Sequence, residues 1–181
     1  MEIVFDAGAL RRIGEWAVAR IVERTQEGLD VEGRPFTPYS TRPLSMPAGA
    51  LWAPGSRTAA RRLKSQGQLS YWRNKATGSL WVTIQGGYRA YKEARFPGQG
   101  GQVNLTLTGT MMRSLAVLDV EATERGGVIT IGFRQAEAAE RAYWHEVTGA
   151  GRSHVRRRFL GLTPGELEEL ERAIVRAIEV R

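Results

Sequence analysis

The sequence predicts an α+β fold, in which a small antiparallel β-sheet is packed by an N-terminal and a C-terminal helix and a long basic loop, or arm, lies between them. Apolar residues recur at helical spacing near both ends of the 181-residue chain, and short β-prone runs bounded by glycine lie between these ends. Five prolines within residues 30–69 argue against regular elements there. We therefore expect a single domain over residues 1–181, with the extended basic arm at about 30–78.

The first helix is predicted to begin after Asp6, whose carboxylate can accept hydrogen bonds from the unpaired N–H groups of the first turn. Gly28 is predicted to end it, because a positive φ costs little only for glycine. Four apolar residues between these two positions fall on one helical stripe: Leu10, Ile13, Ala17 and Ile21.

The proline-rich segment at residues 30–69 is interpreted as a loop, in which residues 57–66 can form one short basic helix. A loop of this length inside a compact domain is unusual and is often functional. We expect an arm that becomes ordered when subunits assemble, because contacts with a neighbour would offset the entropy lost on ordering.

The middle of the chain predicts β-structure that begins with a strand at residues 80–84, between Gly78 and Gly86. Residues 88–96 fit either a helix or a strand, and residues 97–101 are interpreted as a loop. These assignments place the first strand directly after the arm.

A short helix and a β-hairpin follow. Thr108 or Thr110 can cap the helix, because a threonine hydroxyl accepts from the first-turn N–H groups. Residues 116–123 and 128–133 alternate in polarity, and the glycine pair at 126–127 supplies the positive φ that a tight turn requires.

Two helices complete the chain, the first of them at residues 137–147. The second is predicted to begin with a capping box, in which Thr163 is the N-cap, Pro164 the first helical residue and Glu166 the reciprocal partner. Its predicted buried stripe has four members: Leu167, Leu170, Ile174 and Ile178.

The formal net charge of +7 is unevenly distributed, because no Asp or Glu occurs between Gly33 and Lys92. This stretch predicts either an anionic partner, which is a nucleic acid or an acidic protein surface, or a long loop that its charges keep solvated. Its basic residues are Arg34, Arg42, Arg57, Arg61, Arg62, Lys64, Arg73, Lys75, Arg89 and Lys92.

The sequence offers little material for catalysis. The lack of cysteine excludes disulfides, Cys-ligated metals and thiol nucleophiles. His145 and Glu146 are adjacent, so on a helix they lie about 100° apart and do not converge on one point. The glycine-rich residues 98–101 lack the Lys-Ser/Thr of a phosphate-binding loop. We expect no catalytic residue, no cofactor and no metal site, and no membrane span, since no run of about 18 apolar residues exists.

A dense cluster of arginines at residues 156–158 runs directly into Phe159. It could bind phosphate or an acidic partner surface. Alternatively, the arginine stems cover apolar surface while their charged ends stay in water. The step from charge to an apolar residue also fits a contact between subunits.

Four segments resemble, in order, the pattern of phage virion-morphogenesis proteins. Residues 33–40 read GRPFTPYS and resemble the segment that follows the first helix in this family, and residues 107–115 read LTGTMMRSL. Residues 142–149 read AYWHEVTG, and residues 157–162 read RRFLGL, similar to the segment that precedes the family's last helix. Residues 44–78 are longer and more basic than the family pattern.

The resemblance implies a structural virion protein of a tailed bacteriophage: a tail-completion or tail-terminator ring subunit at the head–tail (neck) junction, found in the virion and assembled in the host cytoplasm. It implies that the chain forms a homo-oligomer, commonly a six-fold ring, that contacts adjacent tail-tube or head-connector proteins. The basic arm of such a subunit could meet either the acidic surface of an adjacent ring or DNA in the channel. It implies no catalytic residues.

The alternative to this structural role is a DNA-binding protein that uses the arm at residues 33–92. A third class, a hydrolase using His145, lacks an oriented partner for that histidine. Ten residues are candidates for the subunit or partner interface: Arg34, Phe36, Tyr39, Arg57, Arg61, Arg62, Arg156, Arg157, Arg158 and Phe159.

Overall fold

The protein is described by a computed structural model that covers residues 6–123, 126–151 and 154–179, and the predicted α+β class is confirmed. The first elements in chain order are α1 (Ala7–Glu27), β1 (Leu44–Pro47), α2 (Ala48–Leu51), α3 (Arg57–Ser65), β2 (Leu69–Arg73), β3 (Leu80–Ile84) and α4 (Gly87–Arg95). They are followed by α5 (Thr110–Ser114), β4 (Leu115–Thr123), β5 (Gly126–Phe133), α6 (Ala136–Tyr143), a π-helical turn (Trp144–Thr148) and α7 (Pro164–Glu179).

The chain divides into two compact units, where the sequence predicts a single domain with an arm. Unit 1 contains Met1–Thr37 and Asn104–Arg181, and unit 2 contains Pro38–Val103. The arm predicted at 30–78 contains elements that the sequence did not predict, which are β1, α2 and β2 at residues 44–51 and 69–73, whereas the short helix expected at 57–66 is present as α3. These residues therefore do not need a neighbouring subunit to form regular elements.

Helix α1 of unit 1 is confirmed with both of its predicted ends. The Ala9 N–H donates to the Asp6 carboxylate at 2.8 Å, and Gly28 ends the helix with φ 90°. Leu10, Ala17 and Ile21 of the predicted stripe are buried. The local signals were sufficient here because caps and helical periodicity are properties of neighbouring residues.

The two predicted hairpin strands are confirmed as the antiparallel pair β4–β5, but the glycine pair predicted for the turn lies in β5, where Gly126 pairs with Thr123 and Gly127 with Ala122. Residues 124–125 lie outside the described residues. Leu115 pairs with Phe133, and the register shifts between Val117 and Asp119, so that Leu118 is the additional residue of a β-bulge. Helix α1 covers one face of this pair.

The contact between α1 and the hairpin depends on Gly14. A Cβ atom at this position would lie 2.7 Å from one methyl group of Val117 and 2.7 Å from one of Ile129. Both neighbours are β-branched side chains with few alternative rotamers, so they cannot easily move aside. Glycine at this position therefore sets how closely the helix approaches the hairpin.

We predict that Gly14→Ala lowers the free energy of unfolding by about 1–2 kcal/mol through overpacking, although alanine is the better helix former. The matched control is Gly165→Ala in α7, where a Cβ atom meets nothing within 4 Å and stability should stay the same or rise. Urea unfolding of both variants measures the difference. Equal stabilities would contradict the close packing.

The short helix α5 is confirmed, but the prediction that a threonine caps it is wrong. Its N-cap is Gly109 with φ 76°, and no side chain accepts from its first turn. The hydroxyls of Thr108 and Thr110 instead lie 3.0 Å from each other. The left-handed conformation at this position favours glycine, since other residues adopt a positive φ only at a steric cost.

Unit 2 is built on a three-stranded antiparallel sheet in the order β1-β3-β2. Strand β3 and helix α3 confirm the sequence prediction, and the ambiguous segment 88–96 is largely helical, within α4. Strand β1 was missed because its four residues end at Pro47, and proline is tolerated on an edge strand. The core of the unit includes Leu51, Ala60, Leu63, Val82 and Ile84.

A lysine is buried inside unit 2. Lys92 of α4 is fully buried, and its Nζ donates to the Tyr39 hydroxyl at 3.0 Å and lies 4.5 Å from the centre of the Tyr39 ring. The Tyr88 ring packs edge-on against Tyr39 at 5.1 Å. Burial lowers the pKa of Lys92 to about 8, because the charged form is poorly solvated there.

Candidate assembly interface

Four charged side chains of unit 1 form what we call the polar junction: Arg24, Glu146, Arg157 and Glu166. Arg24 of α1 is buried, and its guanidinium donates to the carbonyl oxygens of Phe159 and Gly161, each at 2.8 Å, and forms an ion pair with Glu166. Glu166 also closes the predicted capping box, accepting from the Thr163 N–H at 2.6 Å. The junction thus fixes the start of α7 to α1.

The other half of the polar junction joins the segments that carry the family resemblance. Glu146 accepts from the backbone N–H groups of Phe159 and Leu160 at 2.6 and 2.7 Å. The backbone N–H of Arg157 donates to the His145 carbonyl at 2.9 Å, and its Nε donates to the Thr37 carbonyl at 3.0 Å. Residues 33–40, 142–149 and 157–162 are therefore connected through these bonds.

The remaining family-like segment, residues 107–115, holds the start of α6. The Ser114 hydroxyl accepts from the Gln135 N–H at 3.0 Å, and the Ser114 carbonyl accepts from the Arg134 N–H at 2.9 Å. Ser114 is itself buried. The serine in this segment therefore has a structural reason, which is to satisfy the backbone where β5 meets α6.

His145 is held neutral in this environment. Burial, followed by the nearby charge of Arg157, lowers its pKa to about 4. Its Nδ1 atom is buried and lacks a hydrogen-bond partner among the described residues. These features are those of a histidine packed within unit 1 as a neutral group.

Three sets of large apolar side chains remain exposed in unit 1, and the third consists of Leu118 and Val128 on the hairpin, which are 48% and 57% exposed. The first, which we call the aromatic patch, comprises Tyr143, Trp144 and Val147 at the end of α6 and on the π-helical turn, and they are 53%, 46% and 46% exposed. Ala138 and Ala142 on α6 are buried instead. The segment therefore has one apolar face inside the unit and another on its surface. π-helical turns occur frequently at functional sites.

The second exposed set lies on α7. The prediction of a buried stripe is wrong for Leu167, which is 47% exposed, and Val175 beside the stripe is 51% exposed. Leu170 and Ile174 are half-buried, and the side chain of Ile178 lies outside the described residues. Helical periodicity shows which side chains share a face, but only the neighbouring elements decide whether that face is covered.

The charge of the chain is concentrated in unit 2, which contains ten of the 26 Lys and Arg but one of the 19 Asp and Glu. Helix α3 presents three of these charges, Arg57, Arg61 and Lys64, on its exposed side. We call these three residues the cationic stripe. They form no ion pair with a carboxylate in the part of the chain that the structure describes.

The one acidic residue of unit 2, Glu93, binds backbone groups of the glycine-rich loop. The Gly98 and Gly100 N–H groups donate to the Glu93 carboxylate at 2.7 and 2.8 Å, and these bonds hold the pKa of Glu93 below its usual value. A cleft of about 380 Å³ lies beside the loop, and Arg89 and Glu93 are among its lining residues. The loop therefore binds the chain's own carboxylate where a phosphate cradle would bind a ligand.

The ten predicted interface residues separate into two groups. Six are exposed and remain candidates: Arg34, Arg57, Arg61, Arg62, Arg156 and Arg158. The other four, Phe36, Tyr39, Arg157 and Phe159, are buried within the chain, so their prediction as partner contacts is corrected. Tyr39 contacts Lys92 and Phe159 packs against Phe133 at 6.4 Å, which are interior roles.

The exposure of the aromatic patch and of α7 was not predicted from the sequence. A signal for the patch was present, because Tyr143, Trp144 and Val147 share a face that differs from the face of Ala138 and Ala142. Two apolar faces on one short helical segment indicate that one of them is available to a partner.

Neither a metal cluster nor a membrane span is found in the described ranges. No three His, Asp or Glu side chains there could jointly hold a metal ion, and no helix there is both long and apolar enough to cross a membrane. No protein-family model, no curated protein and no solved structure matches this chain.

Proposed function

We propose that this chain is a structural virion protein of a tailed bacteriophage, a tail-completion or tail-terminator ring subunit at the head–tail junction. One observation carries the proposal: three of the four segments with the family resemblance are joined through Glu146 and Arg157 of the polar junction, and the elements that this junction holds present exposed apolar side chains. In unit 1 these segments hold elements whose exposed apolar side chains are available to contact another subunit, as an assembly subunit requires.

The exposed apolar side chains supply the physical argument for assembly. Trp and Tyr are the side chains that most often dominate the binding energy of protein interfaces, and the aromatic patch contains one of each. Large exposed apolar patches on soluble proteins mark interaction sites, because leaving them in water is unfavourable. A ring arises when such a contact joins two different surfaces of neighbouring copies, and when the rotations between successive copies add up to one full turn.

We predict that the double variant Tyr143→Ser/Trp144→Ser weakens self-association by at least about tenfold, because interface hot spots contribute about 2 kcal/mol or more. The matched control is Tyr71→Ser/Trp72→Ser in unit 2, an adjacent Tyr-Trp pair that is 44% and 42% exposed. This control should associate as the wild type does. Sedimentation velocity over a concentration series measures the association, and circular dichroism checks that both variants are folded.

Association of the patch variant equal to that of the wild type would contradict the role of the patch.

The virion location has a separate test, which is mass spectrometry of purified particles. We expect this chain in the tail or neck fraction at the copy number of a ring. Its absence from particles would sink the proposed function.

A second candidate function, DNA binding by unit 2, is favoured by the excess of basic residues in that unit. Each neutralised phosphate releases counterions, so this function requires DNA affinity to fall steeply between about 50 and 200 mM salt. Binding that stays flat over this range would reject it.

A further inference from the structure

The cationic stripe has the spacing of a docking face. Arg57, Arg61 and Lys64 are separated by four and three residues, so they lie within about 60° of one another around the axis of α3. Ala59, Ala60 and Leu63 on the other side of the helix are buried. The helix is thus fixed by its inner face, and its outer face presents three positive charges in a row.

The counter-charges for the cationic stripe are not supplied by unit 2. Every residue of this unit is described, and its one acid, Glu93, is bonded to the amides of Gly98 and Gly100. Like charges on one helix face repel one another, so a carboxylate surface that covered the stripe would relieve an unfavourable arrangement.

Helix α7 carries a row of exposed side chains whose negative charge is complementary to the cationic stripe. Leu167, Glu168, Glu171 and Val175 are all exposed and lie within about 100° around the helix axis, so two carboxylates are flanked by two apolar side chains. We call these four residues the acidic row. Glu166 and Glu169 are already paired with arginines of α1, whereas Glu168 and Glu171 form no ion pair within the described residues.

We propose that the cationic stripe of one copy docks on the acidic row of α7 in a second copy. The guanidinium groups of Arg57 and Arg61 reach the carboxylates, while their aliphatic stems cover Leu167 and Val175. This contact rests on the proposed function in one respect, which is that the chain associates with itself.

The solvent exposure of these groups decides how much of the binding free energy comes from charges and how much from apolar contacts. Solvent-exposed ion pairs contribute only about 0.2–1 kcal/mol each, so the apolar part of the contact and the aromatic patch supply most of the affinity. The charges decide which surfaces meet, because like charges placed together cost several kcal/mol. Stripe and row are different surfaces, so each copy keeps one of them free for the next, as ring growth requires.

The test uses two charge-reversed variants of the full chain. The stripe variant is Arg57→Glu/Arg61→Glu/Lys64→Glu, and the row variant is Glu168→Arg/Glu171→Arg. Each brings like charges together, so we expect its self-association in about 50 mM salt to weaken at least about tenfold. An equimolar mixture should associate again to within about threefold of the wild type, because both contacts are then between opposite charges.

The control reverses three exposed charges of unit 2 outside α3, as Arg42→Glu/Arg73→Glu/Lys75→Glu, and it should associate as the wild type does. Thermal unfolding checks each variant. If the stripe variant is unfolded, the neutral Arg57→Gln/Arg61→Gln/Lys64→Gln replaces it, with a smaller expected loss of about threefold or more, because exposed ion pairs contribute only about 0.2–1 kcal/mol each. The mixture is then not used, since a neutral stripe has no charge to pair with the basic row.

Three results would overturn the contact: no recovery in the mixture, an equal loss in the control, or a wild type that remains monomeric at low salt. A stripe variant that associates normally but loses DNA binding would assign the stripe to DNA and also overturn it. Presence of the chain in purified particles is measured independently, so failure of the mixture in a chain found in virions rejects only this contact.

Discussion

Replacing Arg24 by alanine is expected to lower the free energy of unfolding by about 3–5 kcal/mol, because it breaks a buried ion pair by removing one partner. The guanidinium of Arg24 also satisfies the carbonyl oxygens of Phe159 and Gly161, which would be left without these bonds. Glu166 would keep its role in the capping box but lose its counter-charge. Chemical denaturation with a two-state fit measures the effect.

The matched control for Arg24 is Arg20, one helical turn earlier on α1. Arg20 pairs with Glu23 at 3.0 Å and with Glu169 of α7 at 3.5 Å, and the three side chains are 40–60% exposed, so water already solvates these groups. We therefore expect Arg20→Ala to cost less than about 1 kcal/mol. The double variant Arg24→Ala/Glu166→Gln should be more stable than the sum of the two single losses predicts, since the two side chains share one interaction. A cost similar to that of the control would contradict a structural role for the polar junction.

The Arg24 variant also tests how stability relates to assembly. The polar junction fixes the first turn of α7, and the acidic row begins at the same turn, with Leu167. Loss of the junction should therefore weaken self-association as well as stability. The Arg20 control is expected to leave association unchanged, which separates this effect from a general change of charge on α1.

The second large effect concerns Lys92, whose replacement by methionine is expected to stabilise the protein. A pKa that falls from 10.5 to about 8 corresponds to about 3 kcal/mol of unfavourable charge burial at neutral pH. Loss of the hydrogen bond to Tyr39 and of the cation–π contact with its ring together costs about 1–2 kcal/mol. The net gain for Lys92→Met at pH 7 is then about 1–2 kcal/mol, because methionine fills a similar volume without a charge.

The pH dependence gives this prediction a second readout. Between pH 8 and 10.5 the unfolded chain binds a proton at Lys92 that the folded chain has released, so the folded state gains stability as pH rises. Below pH 8 both states are protonated, and the penalty is constant. The wild type should gain about 2 kcal/mol between pH 7 and 9.5 relative to Lys92→Met.

The control for Lys92 is Lys64→Met on the exposed side of α3, which should change stability by less than about 0.5 kcal/mol at either pH. Unfolding by urea at the two pH values measures all three proteins. Parallel pH curves for wild type and Lys92→Met would show that the lysine has access to water and would contradict its burial.

Several elements could be predicted from the sequence because their signals are local. The Asp6 cap, the Gly28 terminator and the Thr163–Glu166 capping box each involve residues within a few positions of one another, and all three are present. Strand β3 and the two strands of the β4–β5 pair likewise follow from short β-prone runs and from alternating polarity. The distribution of charge was also readable, since it needs only the order of residues.

The candidate interface was predictable only in part. The sequence marked the arginines of α3 as partner contacts, and these are exposed, but it also marked Phe36, Tyr39, Arg157 and Phe159, which are buried. Large aromatic and arginine side chains are common in both interfaces and interiors, so their type alone does not distinguish the two. The location of each residue depends on long-range contacts such as the bond from Arg157 to Thr37.

By itself the sequence determined the helices and strands with strong local signals, the α+β class, and the segregation of positive charge. Only the tertiary structure decided that residues 44–73 fold into unit 2, that Lys92 is buried there, and that Leu167 and the aromatic patch remain exposed. The physical reason is that strand pairing and burial are relations between residues far apart in the chain. Local periodicity orients a side chain, and the elements that surround it decide whether water or protein covers it.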